Sequence, residues 1–112
     1  MADPTEKKVI YSTQLAIDLR GMYEYGEETF GEEAAFSFIS QVLLKIDLLS
    51  FQYLAHPECR YLSTKSRMYR NIILGSYLII YRITAERIEV LSALHGSRFT
   101  SSSARTIRKI KI

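Results

Sequence analysis

The residues best suited to chemistry close a long apolar run. Tyr77 to Leu94 has the composition of paired strands, broken only at Thr84-Ala85-Glu86-Arg87, and it ends on His95-Gly96-Ser97-Arg98. Histidine titrates near neutrality and arginine stays charged, so the pair suits proton handling and anion binding. Histidine at a strand end also serves as an ordinary hydrogen-bonding residue. A base beside a glycine at a sheet end has little packing reason to be there, which makes Arg98 the stronger functional candidate. Arg70, Tyr81 and Arg82 lie upstream in the same strand-rich half, with Tyr69 next to Arg70. The tyrosines 69, 77 and 81 suit a core or a partner-facing surface better than chemistry. The single Cys59 cannot form an internal disulfide, which points to a reducing compartment, and it reads as a small apolar residue rather than a nucleophile. No metal ligand set and no cofactor are expected.

The chain that must position these groups has 112 residues. That length suits one domain burying roughly two-thirds of its unfolded surface, enough to fold without staples. Met1 to Lys8 contains no apolar leader segment, and the apolar run Ile72 to Tyr81 is too short to span a bilayer, so a cytoplasmic protein with no membrane partner is expected. The net charge of +3 hides a division. Residues 1–58 hold ten acids and four bases, a net of −6, whereas residues 59–112 hold two acids and eleven bases, a net of +9. Unless the halves neutralise each other on packing, the basic half favours a nucleic acid or an acidic protein as partner.

Lys8 to Ser12 alternates as a first strand does. Ser12 or Thr13 offers an N-cap for a helix in which Leu15, Leu19, Met22 and Tyr23 recur at helical spacing. Gly26 and Gly31 bracket its end, with Glu27-Glu28-Thr29-Phe30 as the connecting turn. Glu32 to His56 carries a second helix: Ala35, Ile39, Val42, Ile46, Leu49 and Tyr53 form one stripe, and Phe36, Leu43, Leu44, Leu48 and Phe51 widen it. Glu32 and Glu33 suit the positive end of the helix dipole, and His56-Pro57 stops the helix. A helix apolar over most of its circumference requires two neighbours, the first helix and the sheet. Four extended runs follow, at 60–63, 68–74, 77–83 and 88–94, with Gly75-Ser76 forming a type II′ hairpin turn. Short connections make these strands antiparallel, with 77–83 buried on both faces. The order β-α-α-β-β-β-β describes an α+β domain: a two-helix hairpin packed on a mainly antiparallel sheet of four to five strands. Residues 1–98 constitute the domain and 99–112 a basic tail, with Arg105, Arg108, Lys109 and Lys111 among Ile107, Ile110 and Ile112. The tail is either a solvated terminus or a segment that orders on a partner.

The pattern resembles the RelE/ParE family of bacterial toxins from type II toxin–antitoxin systems. The resemblance is carried by Ala16-Ile17-Asp18-Leu19, Tyr23-Glu24-Tyr25-Gly26, Gly31-Glu32-Glu33-Ala34 and His56-Pro57. It is strongest in Tyr69-Arg70, the stretch Gly75 to Ile83, Ile88-Glu89-Val90-Leu91 and the closing His95-Gly96-Ser97-Arg98. It spans roughly residues 8 to 98 and implies the same helical hairpin on an antiparallel sheet.

The resemblance implies a toxin of a plasmid-stabilisation module, neutralised by a cognate antitoxin and reaching operator DNA only through it. ParE-like members poison DNA gyrase. RelE-like members cleave messenger RNA on the ribosome, which requires an acid–base pair and cations around the scissile phosphate. For that chemistry the candidates are Arg70, Tyr81, Arg82, His95 and Arg98, but Ile72-Ile73-Leu74 stands where the endonucleases tend to carry a base. His95-Gly96-Ser97-Arg98 is similar to the strand-end signature of ParE-like members, so gyrase is the favoured target, with His95, Arg98, Arg105, Arg108 and Lys109 as its binding residues. A non-toxic scaffold or an RNA-binding module is the remaining alternative. RNA readers usually stack bases on glycine-flanked sheet aromatics, which are missing here. The apolar excess of the second helix calls for cover by the antitoxin or by a second copy of the chain.

Overall fold

The computed structural model describes residues 5–112, so Met1 to Pro4 of the expected domain and leader reading lie outside the described residues. The elements are β1 (Lys8–Tyr11), α1 (Thr13–Phe30), α2 (Glu32–Asp47), α3 (Leu49–Gln52), β2 (Tyr69–Leu74), β3 (Tyr77–Ile83), β4 (Arg87–His95), a 3-10 turn (Gly96–Arg98) and α4 (Ser101–Arg108). The four strands form one sheet in the order β1-β4-β3-β2. The β2–β3 and β3–β4 pairs are antiparallel, and β1 lies parallel to β4. The class is α+β with a helical hairpin on a mainly antiparallel sheet, as the periodicities require.

Local chemistry explains the boundaries. Ser12 caps α1 by accepting the Leu15 amide at 2.9 Å, and its own hydroxyl donates to the Leu91 carbonyl at 2.7 Å. The first helix does not stop at Gly26. It runs on to Phe30, and only Gly31, at φ 95°, breaks it. Gly26 instead allows a close helix crossing, because a Cβ there would stand 3.3 Å from the Ala35 Cβ. The second helical run also divides: α2 ends at Asp47, and α3 supplies one further turn. Gly75 takes φ 60° while Ser76 does not enter the positive region, which is the type II′ pattern between the paired residues Leu74 and Tyr77.

Two differences from the sequence reading concern the second half. Residues 60–63 form no strand. The edge of β2 is covered there only by an isolated bridge between Glu58 and Arg70, after which the chain turns at Cys59–Leu62. Residues 99–112 are not a detached tail: Phe99, Ala104 and Ile107 are buried, because the face of the sheet opposite the hairpin is apolar and must be covered. The sheet thus separates two cores. Leu15, Val42, Ile46, Leu49, Ile79, Tyr81 and Val90 pack on the hairpin side. Cys59, Leu62, Tyr69, Ile80 and Leu91 pack with α4 on the other.

Ser12 is nearly sealed from solvent and serves both a helix end and a strand carbonyl. Ser12→Ala is therefore expected to lower stability by about 1–3 kcal/mol in urea denaturation, since it removes a cap and strands a buried acceptor.

Candidate functional site

The strand β4 ends where the sheet meets α1, and a cleft of about 620 Å³ opens there between Ile17, Gly21, Met22 and Tyr25 of α1 and Tyr77, His95 and Arg98. Asp18 forms its floor, accepting the Ser92 hydroxyl at 2.7 Å and the Ala93 amide at 3.0 Å. His95 is held in place twice. Its ring meets Tyr77 edge-on at 5.4 Å, with Tyr77 in turn against Phe38 at 5.4 Å. Its Nδ1 accepts the Ser97 amide at 3.1 Å and lies 2.7 Å from the Ser97 hydroxyl. A nitrogen that accepts from an amide carries no proton, which assigns the ring proton to Nε2. His95 therefore acts as the cap of the 3-10 turn that presents Arg98. The Arg98 side chain is exposed, and among the described residues its guanidinium has no hydrogen-bond partner.

The other proposed catalytic groups do not join this cluster. Tyr81 is fully buried and donates to the Tyr53 carbonyl at 2.6 Å, and burial raises its phenol well above the ordinary range. Arg70 ties down the end of the helical region, donating to the carbonyls of Leu54, His56 and Arg67. Arg82 is paired with Glu89 at 2.6 Å, lies over the Tyr69 ring at 5.7 Å and donates to the Ile110 carbonyl at 2.9 Å. Arg87 pairs with the other oxygen of Glu89 at 2.7 Å and donates to the Ile112 carbonyl at 3.1 Å. Burial pushes the Glu89 carboxyl up, but the hydrogen bonds and charges of Arg82 and Arg87 more than offset this and hold it below the usual carboxylate range. This clamp on Ile110 and Ile112 is invisible in the sequence, because it joins residues far apart in the chain.

The five expected target-binding residues fall on two surfaces. His95 and Arg98 border the cleft beside α1, whereas Arg108 of α4 lies across the sheet, 5.6 Å over the Tyr69 ring, with Arg105 and Lys109 exposed on the same helix end. Cys59 lies within the second core, its thiol pushed up to about 12 chiefly by burial. Among the described residues no group of three His, Cys, Asp or Glu side chains could hold a metal ion, and no helix is long and apolar enough to cross a membrane.

Two measurements check these assignments. Cys59 is expected to resist alkylation at pH 8 until the protein is unfolded, since a thiol titrating near 12 offers little thiolate there. Because the folded pKa of Glu89 lies below its unfolded value of about 4.3, its stabilisation is present above that pH and is lost as pH falls through the folded value. Glu89→Gln is therefore expected to destabilise at pH 7 and to approach the parent protein's stability in acid, as read by urea unfolding at both pH values.

Comparison with known proteins agrees with this architecture. Residues 9–99 match the family model of the ParE toxin of the type II toxin–antitoxin system, parDE. A solved structure titled as the chromosomal ParDE toxin–antitoxin system from P. aeruginosa superposes with a TM-score of 0.67 at 15% identity, covering 82% of this chain and 98% of that one. No curated protein matches the sequence.

Proposed function

Since the chain belongs to the ParE toxin family of type II toxin–antitoxin systems, we propose that it arrests growth by inhibiting DNA gyrase and is neutralised by a cognate antitoxin. The observation that carries the gyrase reading is the unpaired, exposed Arg98, presented by the His95-capped turn at the mouth of a partly apolar cleft. A charged group held by a rigid turn beside apolar side chains has the make-up of a protein-binding hot spot, in which arginine and tyrosine are enriched. The ribosomal endonuclease reading needs an acid, a base and cations around one phosphate. Here Tyr81 is buried in a core, and Arg70 and Arg82 are bonded internally, far from forming such a cluster.

The antitoxin reading rests on the helices. Phe36, Leu44 and Phe51 are 67, 60 and 55% exposed, and Leu43, Leu48 and Leu54 extend the same apolar surface over α2 and α3. Val42 and Ile46 already seat α2 against α1 and the sheet, so these outward apolar side chains are left without cover among the described residues. A groove of about 530 Å³ between α1 and α2, lined by Leu19, Tyr23, Ile39 and Leu43, adds a seat for an apolar partner segment. The antitoxin supplies that cover, in the cytoplasm, where toxin and target meet.

Purified protein should inhibit gyrase supercoiling and leave ribosome-bound messenger RNA intact in a translation mix. Arg98→Ala should abolish the inhibition while changing stability by only about 0.5 kcal/mol, as expected for an exposed side chain. Codon-position-specific cleavage of messenger RNA with supercoiling untouched would overturn the gyrase assignment. Leu44→Glu and Phe51→Glu should each leave toxicity in place but weaken neutralisation by the co-expressed antitoxin at least tenfold, measured as the antitoxin dose that restores growth.

A further inference from the structure

The basic half of the chain is not neutralised by the acidic half. Among the described residues the ion pairs are Arg82–Glu89 and Arg87–Glu89, both within the basic half. The remaining bases of α4 face outward on the side of the sheet opposite the helical hairpin. Arg105, Arg108 and Lys109 recur at helical spacing and are exposed, while Ala104 and Ile107 hold the helix against the second core. At the start of the helix a second feature joins them. The Tyr61 ring lies 5.7 Å from Phe99, the residue before the α4 cap, and Arg60 lies 5.1 Å over the face of Tyr61.

Tyr61 is the unusual member of this group. It occupies the third position of a turn closed by the Leu62 amide on the Cys59 carbonyl, and it does so at φ 67°. That position favours glycine, and an aromatic residue there is strained by about 1–2 kcal/mol. The buried neighbours Cys59 and Leu62 fix the turn, so the strained residue is pushed outward with half of its surface exposed. A glycine would close the same turn without strain. What tyrosine adds is an exposed ring between an arginine and a basic helix.

We infer that this face, formed by Arg60, Tyr61, Arg105, Arg108 and Lys109, binds the sugar–phosphate backbone of a nucleic acid. A folded acidic protein fits less well. Stable protein interfaces centre on desolvated apolar groups, and most exposed apolar side chains among the described residues gather on or beside α1, α2 and α3, with Tyr11, Tyr61, Ile73 and Ile112 lying elsewhere. Nucleic-acid interfaces are polar and strongly basic and tolerate isolated aromatic platforms. The eight-residue α4 is about 12 Å long, and over that distance a duplex presents about seven phosphate charges. The inference goes beyond the gyrase reading and is independent of it, since the ligand would bind the chain with no gyrase present.

The test is fluorescence anisotropy with the full chain, a labelled duplex and a labelled oligothymidylate. Affinity should fall steeply with salt, by about 100-fold between 50 and 200 mM if about four phosphates are neutralised. The triple variant R105E/R108E/K109E should lose at least tenfold in affinity and flatten that slope. The variant K8E/R20E/K45E, with the same net charge change on the other half of the chain, should lose less than twofold. Should the triple variant fail to fold by circular dichroism, Arg105→Glu alone should reduce the salt slope by about one. If Tyr61→Ala weakens oligothymidylate about tenfold and spares the duplex, the ligand is an unpaired strand. If it changes neither, the ligand is the duplex, and both results support the phosphate surface. The inference is overturned if the K8E/R20E/K45E control weakens binding as much as the α4 variant. It is also overturned if polyglutamate displaces the labelled strand as well as unlabelled nucleic acid does at equal charge.

Discussion

The structure depends on how the strand β4 is satisfied along both edges. On one edge it pairs with β3 from Ile88 to His95, with a single bulge at Leu91. On the other, β1 pairs only as far as Tyr11 opposite Val90, and the outward groups from Leu91 onward have no strand beside them. Buried backbone groups without partners are expensive, so something else must fill the gap. The helix α1 does it with two side chains, the Ser12 hydroxyl on the Leu91 carbonyl and the Asp18 carboxylate on the Ala93 amide. A carboxylate accepting an amide is stronger than a neutral pair. Because both groups sit on one helix, they also fix its rotation: a shift of one residue would turn them away from the strand.

That arrangement works only because β4 carries a bulge. The pairing jumps from Ile80 with Ser92 to Tyr81 with Val90, leaving Leu91 as the extra residue. Ile88, Val90 and Ala93 consequently belong to the hairpin core, and Leu91 and Leu94 to the other. Simple alternation would send Ala93 to the wrong side. The same irregularity directs His95 toward the cleft beside α1, so the site at the strand end is a product of the bulge as much as of the residues themselves.

Much of this was legible from spacing alone, and what was not has specific causes. The cap at Ser12, the Gly75-Ser76 turn and the strands around it follow from local rules that act within four or five residues. Gly26 cannot be told from a helix end in sequence, because a packing glycine and a terminating glycine look alike there; only the 3.3 Å that would separate an added Cβ from the Ala35 Cβ distinguishes them. The run 60–63 has strand-like composition, yet Leu62 is buried for the second core and Tyr61 sits in a turn, which periodicity over four residues cannot distinguish. Arg98 was identifiable as an odd residue at a sheet end. Asp18 and Glu89 were not singled out, because their partners lie 74 and 75 residues away in one case and, in the other, on a neighbouring strand as well as close by.

The charge division of the sequence acquires a spatial meaning once the internal bonds are removed from it. Arg70, Arg82 and Arg87 are spent on carbonyls and on Glu89, and Glu89 is silenced by the two arginines that share it. Prominent among what reaches solvent are an acidic end on the helical hairpin, where Glu24, Glu27, Glu28, Glu32 and Glu33 are all exposed, and a basic face on α4. Packing did not neutralise these two groups because the sheet stands between the hairpin acids and the α4 bases, each on the outer side of a separate core. A molecule so divided orients in the field of a charged partner before contact, and that orientation presents one face and withdraws the other. The apolar surface of α2 and α3 lies with the acidic hairpin and the basic helix lies across the sheet, so covering the first leaves the second open to a different ligand.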